Sequence, residues 1–218
     1  MPRIARVVIP GLPHHIVQRG VRSMPVFMSD DDRREYLELL SKYSREEGVA
    51  FWAWNLMGNH VHLLGVPQDE KSLARAFGEA HRRYTRMINF RENKRGHLFQ
   101  ERFFSCPIEK DGHLLTVGRY IEMNSVRAGL VDSPEKWPWS SAAYNMELRD
   151  SDPLMTERPL ADLAGPWASI LAEEVTPEEK NALELHLRTG RPLGDGDWVK
   201  ELEKVVGRRL IPRKPGRH

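Results

Sequence analysis

Residues 49–66 read VAFWAWNLMGNHVHLLGV. The first half, 49–57, is rich in aromatic and β-branched side chains, which suit a pleated, half-buried surface. Gly58-Asn59 is a turn signal, and HVHLLGV (60–66) is a second apolar run. The two runs read as a hairpin. Working outward, HHIVQRG (14–20) alternates enough to be a strand. Ser29 followed by Asp30, Asp31 and Asp32 is a helix start: the hydroxyl caps the first amides, and the acids face the positive end of the helix dipole. Tyr36, Leu37, Leu39, Leu40 and Tyr43 then keep helical spacing up to Gly48. Residues 71–91 and 111–124 read as helices, the latter with Gly129 as a stop, and HLFQERFFSCPI (97–108) as a strand. The order strand, helix, strand, strand, helix, strand, helix predicts a ferredoxin-like α+β sandwich, an antiparallel sheet with helices, carrying an additional helix.

The character of the chain changes near residue 150, which divides it into residues 1–149 and a small, mostly helical extension, 150–218. Thr176-Pro177-Glu178-Glu179 combines a capping box with proline at the first helical position, so a helix is expected from there to about Arg188. A second is expected from Asp197 to Val206.

The 218 residues carry 33 Lys and Arg against 31 Asp and Glu, a net +2, so bulk charge identifies no partner. Its distribution is uneven. Residues 1–149 are +4, residues 150–200 are −6, and residues 201–218 are +4. The last twelve residues, GRRLIPRKPGRH, hold five basic side chains and no acid, which suits a nucleic-acid contact or a solvated end. No apolar run reaches the length of a membrane span, and the three-residue apolar run before Pro10 is too short for a secretory leader. The single cysteine, Cys106, excludes an intramolecular disulfide and a zinc site built on several cysteines. A reduced, cytoplasmic location is expected.

Three features could carry chemistry. In His60-Val61-His62 the imidazoles leave the same face of a strand, a natural half-site for a divalent metal, although paired surface or packed histidines give the same pattern. In RYIEMN, Tyr120 and Asn124 share a helix face, so a phenol and a carboxamide project together; a tyrosine packed in the core is the plainer alternative. Around residues 71–95, Lys71, Arg75, Arg82, Arg83, Arg86, Arg91, Lys94 and Arg95 face only Glu79 and Glu92. Phe99, Arg102, Phe103 and Phe104 follow. Basic residues interleaved with aromatics suit phosphate neutralisation and base stacking. No G-x-S-x-G, Walker or G-x-G-x-x-G motif is present.

These blocks together resemble the REP-associated tyrosine transposases, a branch of the HUH single-strand transposases of bacterial insertion sequences. The resemblance runs through HHIVQRG, VFMSDDDRREYLELL, LMGNHVHLL, GHLFQERF, RYIEMNSVRAGLV and WPWSSAAY, over most of residues 10–145, and extends to the C-terminal end. It implies the HUH endonuclease fold, with His60, His62 and Asn124 as ligands of Mg²⁺ or Mn²⁺ and Tyr120 as the nucleophile. The implied reaction is cleavage and rejoining of single-stranded DNA at hairpin (REP) sequences through a 5′-phosphotyrosine. Arg19, Arg102, Arg127, Arg208, Arg209, Arg213 and Lys214 are the candidate DNA contacts. A monomer or a homodimer, associated with the nucleoid, is expected. Two alternatives remain open on the residues alone: a non-catalytic regulator that binds hairpin DNA or RNA on the same scaffold, and a metalloprotein with a structural site completed by His81, His97 or His113.

Overall fold

The computed structural model describes residues 6–110 and 112–211. Among these, strands β1 (His14–Arg19), β2 (Val49–Leu56), β3 (His60–Pro67) and β4 (Phe104–Pro107) form one sheet in the order β2-β3-β1-β4. All neighbours are antiparallel. With α1 (Asp30–Glu46) between β1 and β2, and α2 (Ser72–Arg91) between β3 and β4, this is the ferredoxin-like α+β arrangement.

Period-2 alternation divides the sheet into two unlike faces. Ile16, Val61, Leu63, Phe51 and Trp54 point to the layer of α1 and α2 and share a core with Leu40, Phe77 and Tyr84. A register shift between Phe51 and Ala53 lets Phe51 and Trp54 share that face despite their spacing of three. Ala53 and Leu64 point the other way and pack with α3 (Leu114–Glu122), through Val117, Tyr120 and Ile121.

Both expected helix starts form, each as a capping box. Ser29 opens α1, and Thr176 opens α8 (Pro177–Thr189) with proline in its first turn. Strand β4 is shorter than the 97–108 run suggests. Glu101 adopts a left-handed φ of 53° and breaks the run, while Phe99 and Phe103 both pack into the α1–α2 core. Phe99 keeps only an isolated bridge to Gly20. The Trp137-Pro138-Trp139 segment finishes the free edge of β2: Leu56 N–H donates to Trp139 O (2.8 Å), and Trp137 Nε1 donates to Leu56 O (3.2 Å).

Residues beyond 150 cover the α3 face. Short helices α4 (Asn124–Arg127) and α5 (Ala142–Asn145) lead to α6 (Pro159–Ala164) and α7 (Trp167–Ala172). Leu160, Trp167, Leu171, Leu183 and Leu193 join the same core as Tyr120. Gly118 makes this approach possible, since a Cβ there would lie 2.7 Å from Leu160 Cδ1 and 3.0 Å from the Trp167 ring. Helix α9 (Gly196–Val206) packs Val199 and Leu202 against Val7, Ile9 and Leu210. Among the described residues no helix is long and apolar enough to cross a membrane.

Candidate active site and basic groove

His60 and His62 leave β3 on the face that carries α3, opposite Arg19 and Val17 of β1. Their rings lie 4.9 Å apart, centroid to centroid. The Tyr120 ring stands edge-on to His62 at 5.8 Å. The sheet and α3 therefore bring together a histidine pair and a tyrosine from distant parts of the chain. Asn55, next to His62 in the sheet register, anchors this arrangement by donating from Nδ2 to the carbonyls of Ile121 (3.1 Å) and Glu122 (3.3 Å) at the end of α3.

Asn124 lies one turn beyond Tyr120. Its Nδ2 donates to Tyr120 O at 2.9 Å, which leaves the amide oxygen out of that bond. Arg127 folds back over the same residue: its guanidinium sits 4.0 Å over the Tyr120 ring, and Nη2 donates to Tyr120 O at 2.7 Å. A group expected to touch DNA is thus stacked on the phenol.

The electrostatics favour neutral imidazoles. Burial, reinforced by Arg19, lowers His60 to about 4. Burial, then the neighbouring His15, His60, Arg127 and Arg19, hold His62 well below the usual histidine range. Burial raises the Tyr120 phenol, and Arg127 opposes that rise.

Sequence reasoning missed several members of this site. His15 on β1 places Nε2 3.1 Å from His62 Nδ1, with its ring 5.9 Å from that of Tyr120. It is wholly buried, and its Nδ1 has no hydrogen-bond partner among the described residues. The doubled histidine in HHIVQRG was the available signal, since only one of the two can face α3. The other, His14, donates from Nδ1 to Leu12 O (2.8 Å) and accepts from Ile9 N–H (3.2 Å). Glu184 on α8 acts electrostatically on both Tyr120 and Arg127, and no local motif marks it.

The back of α3 carries two charged side chains, both hydrogen-bonded to neighbouring segments. Arg119, 5% exposed, pairs with Glu173 and Glu179. Glu122, wholly buried, accepts from Ser141 Oγ, Asn145 Nδ2 and Trp167 Nε1. Burial lifts its carboxyl to about 7 against the pull of those three donors.

The donor set can be weighed against a divalent ion. Two neutral imidazoles offer lone pairs, and the Asn124 amide adds an oxygen. Among the described residues no group of three His, Cys, Asp or Glu forms a metal cage. Such a set suits an open site completed by substrate oxygens rather than a closed structural one. His81 does not join it. It is half-buried on the other face of the sheet, where Nε2 meets Tyr36 Oη at 3.0 Å.

That other face carries a groove of about 1030 Å³ between α2 and the 92–103 segment. Phe77, Phe99, Phe103 and the 90%-exposed Phe90 provide apolar lining. Arg86, Lys94, Arg95 and Arg102 provide positive charge. Groove and histidine cluster meet at the end of β1. Gln18 lines the groove and donates to Gln100 O (3.0 Å), while its neighbour Arg19 sits opposite His60 on the other face. Arg208 donates to Arg6 O (2.9 Å), next to the groove residue Phe103, and Arg209 donates to Ile211 O (3.2 Å). Arg213 and Lys214 lie outside the described residues.

An antiparallel α+β sheet bearing an H-x-H pair on a middle strand and a tyrosine on a covering helix defines the fold class of the HUH transposases. The sequence profile described as "Transposase IS200 like" matches residues 9–124, and the chain belongs to that family. A solved structure described as the REP-associated tyrosine transposase bound to a REP hairpin superposes with a TM-score of 0.59 at 17% identity, covering 72% of this chain and 92% of that one. A putative transposase from Deinococcus radiodurans R1 aligns with a TM-score of 0.39 at 19% identity, over 56% of this chain and 96% of its own. Comparison with curated proteins gives no match.

Proposed function

We propose that this chain cleaves and rejoins single-stranded DNA beside hairpin sequences, with Tyr120 as the nucleophile. The observation that carries this reading is the meeting of Tyr120 with His62 and Arg127 on one face of the sheet, at 5.8 and 4.0 Å from its ring centroid. A tyrosine serving only as core has no need of a guanidinium over its ring and two imidazoles at its edge.

In the proposed reaction, Tyr120 Oη attacks the scissile phosphorus. The P–O3′ bond breaks, the phenol gives up its proton, and the 3′ oxygen takes one up and leaves as a hydroxyl. The downstream fragment stays on Tyr120 through its 5′ phosphate, as a phosphodiester. Attack by a 3′-hydroxyl reverses the step, and because the bond energy is kept in the ester no nucleotide is consumed. Arg127 favours the anionic form of the phenol against the burial that disfavours it. His60, His62 and the amide oxygen of Asn124 would hold Mg²⁺ or Mn²⁺, which would polarise the phosphate and offset its developing charge. Manganese tolerates imidazole better than magnesium does.

The groove on the opposite face is the proposed seat of the hairpin, with its cations on phosphates and its aromatics on exposed bases. The structurally similar REP-associated transposase is described as bound to a REP hairpin, which supports a hairpin as the ligand. The strand would then turn at Gln18 and Arg19 to reach the histidine face. A cytoplasmic setting beside the nucleoid follows from that substrate. The alternative, a regulator that holds hairpins without cutting them, is separated by one substitution. On labelled hairpin oligonucleotides with Mn²⁺, Tyr120→Phe should keep binding and lose cleavage. Absence of cutting by the unaltered chain with either metal would favour the regulator.

A further inference from the structure

The geometry points to Asn59 as a positioning residue for His60, one that fixes which ring nitrogen faces the reaction site. This rests on the reading of His60 as a metal ligand.

The relay of contacts begins at the turn before β3. Asn59 Nδ2 donates to Ser23 O at 3.0 Å. A carbonyl oxygen can only accept, so the amide nitrogen must be the atom on that side. Oδ1 is therefore the atom facing His60 Nδ1, at 2.6 Å. An amide oxygen also only accepts, so His60 Nδ1 must carry a proton. In the neutral ring this leaves the lone pair on Nε2, the nitrogen available to a metal. A ligating imidazole whose second nitrogen is held in this way keeps both its tautomer and its orientation.

Asn59 is itself held firmly. Its carbonyl accepts from Gly20 N–H at 2.8 Å. Gly20 has no Cβ, and one would collide with Met24 O across the turn. Arg22 and Ser23 both lie in the left-handed region, with φ of 52° and 58°. Two consecutive non-glycine residues there are disfavoured and persist only where surrounding contacts hold them. The Asn59 bond to Ser23 O is one of those contacts. The turn aims a carbonyl, the carbonyl orients the amide, and the amide sets the imidazole.

The test uses the full-length protein in two measurements. Metal-free protein labelled with ¹⁵N is followed by long-range ¹H–¹⁵N correlation of the histidine rings. His60 should show a protonated Nδ1 and an unprotonated Nε2, and Asn59→Ala should convert this to a mixture of tautomers. Mn²⁺ binding, followed by electron paramagnetic resonance, should weaken about 10- to 100-fold in Asn59→Ala. Asn59→Asp, which keeps an acceptor for Nδ1–H but loses the donor to Ser23 O, should fall between the unaltered chain and Asn59→Ala. A His60 proton on Nε2 in the unaltered chain overturns the inference without any variant having to fold. So does an Asn59→Ala variant that binds Mn²⁺ as tightly as the parent. A parent chain that binds no Mn²⁺ while His60 carries its proton on Nδ1 overturns the metal reading, and with it the role assigned to Asn59.

Discussion

Trp167 donates its indole N–H to the buried carboxylate of Glu122 at 2.6 Å, two residues past Tyr120 on the same helix. The same indole ring would lie 3.0 Å from a Cβ at Gly118, two residues before Tyr120. The helix that carries the tyrosine is thus gripped from behind by the segment after residue 150. Trp167→Phe leaves Glu122 one donor short inside the core. A loss of about 1–3 kcal/mol is expected, read as a lower urea midpoint with unchanged slope. Gly118→Ala should cost a similar amount by overpacking. Midpoints equal to the parent's would show that the segment merely lies on α3 without supporting it.

Arg127 is a candidate DNA contact by its sequence block, and the fold stacks it on Tyr120. If its main work is on the phenol, Arg127→Gln should slow formation of the covalent adduct by about three- to thirty-fold, the range that corresponds to a cation–π contact. Hairpin affinity should hardly change. A fall in affinity that accounts for the whole fall in rate would return Arg127 to the DNA.

Acid should destabilise the protein before its ordinary carboxylates titrate, with the buried Glu122 carboxyl, lifted to about 7, opposing part of the loss as it takes up its proton. Burial lowers His14 to about 4 and His81 to about 3, from an ordinary 6.5. Each therefore binds its proton more readily in the unfolded chain. The stability that depends on them is complete above about pH 6.5 and is lost as pH falls toward 4. The loss per histidine is on the order of 3 kcal/mol at pH 4. Melting temperature measured between pH 7 and pH 4 should fall steeply, and less steeply in His81→Phe. An identical slope in that variant would count against a neutral, half-buried His81.

The groove can be tested through salt. Arg86, Lys94 and Arg95 are exposed at its rim. Changing all three to Gln should reduce the slope of log K against log salt by about 0.7–0.9 for each phosphate that the protein no longer neutralises. A slope unaffected by the triple change would place the DNA elsewhere.

The residues that could be read in the sequence are those whose roles follow from local spacing. An i, i+2 pair on a strand shares a face whatever the tertiary structure does, so His60 and His62 were legible, as were the helix starts at Ser29 and Thr176. Tyr120 and Asn124 became convincing only through the family resemblance, because i, i+4 spacing is equally that of a packed helix. The contacts that complete the site join distant segments. His15 reaches His62 across 47 residues, and Trp167 reaches Glu122 across 45. The doubled histidine at 14–15 marks one end of the first contact, but no local pattern names the partner of either. Strand β4 reads too long in the sequence because Phe99 and Phe103 are as apolar as strand residues, while the left-handed Glu101 between them leaves no mark in composition.

The central claim is that Tyr120 forms a covalent bond with DNA. The direct measurement is the intact mass of the protein after incubation with a single-stranded hairpin oligonucleotide and Mn²⁺, followed by mapping of the modified peptide. The expected result is a mass gain equal to the 5′-phosphorylated cleavage fragment, located on Tyr120 and absent in Tyr120→Phe. Cleavage with no adduct, or an adduct that persists in Tyr120→Phe, would contradict it.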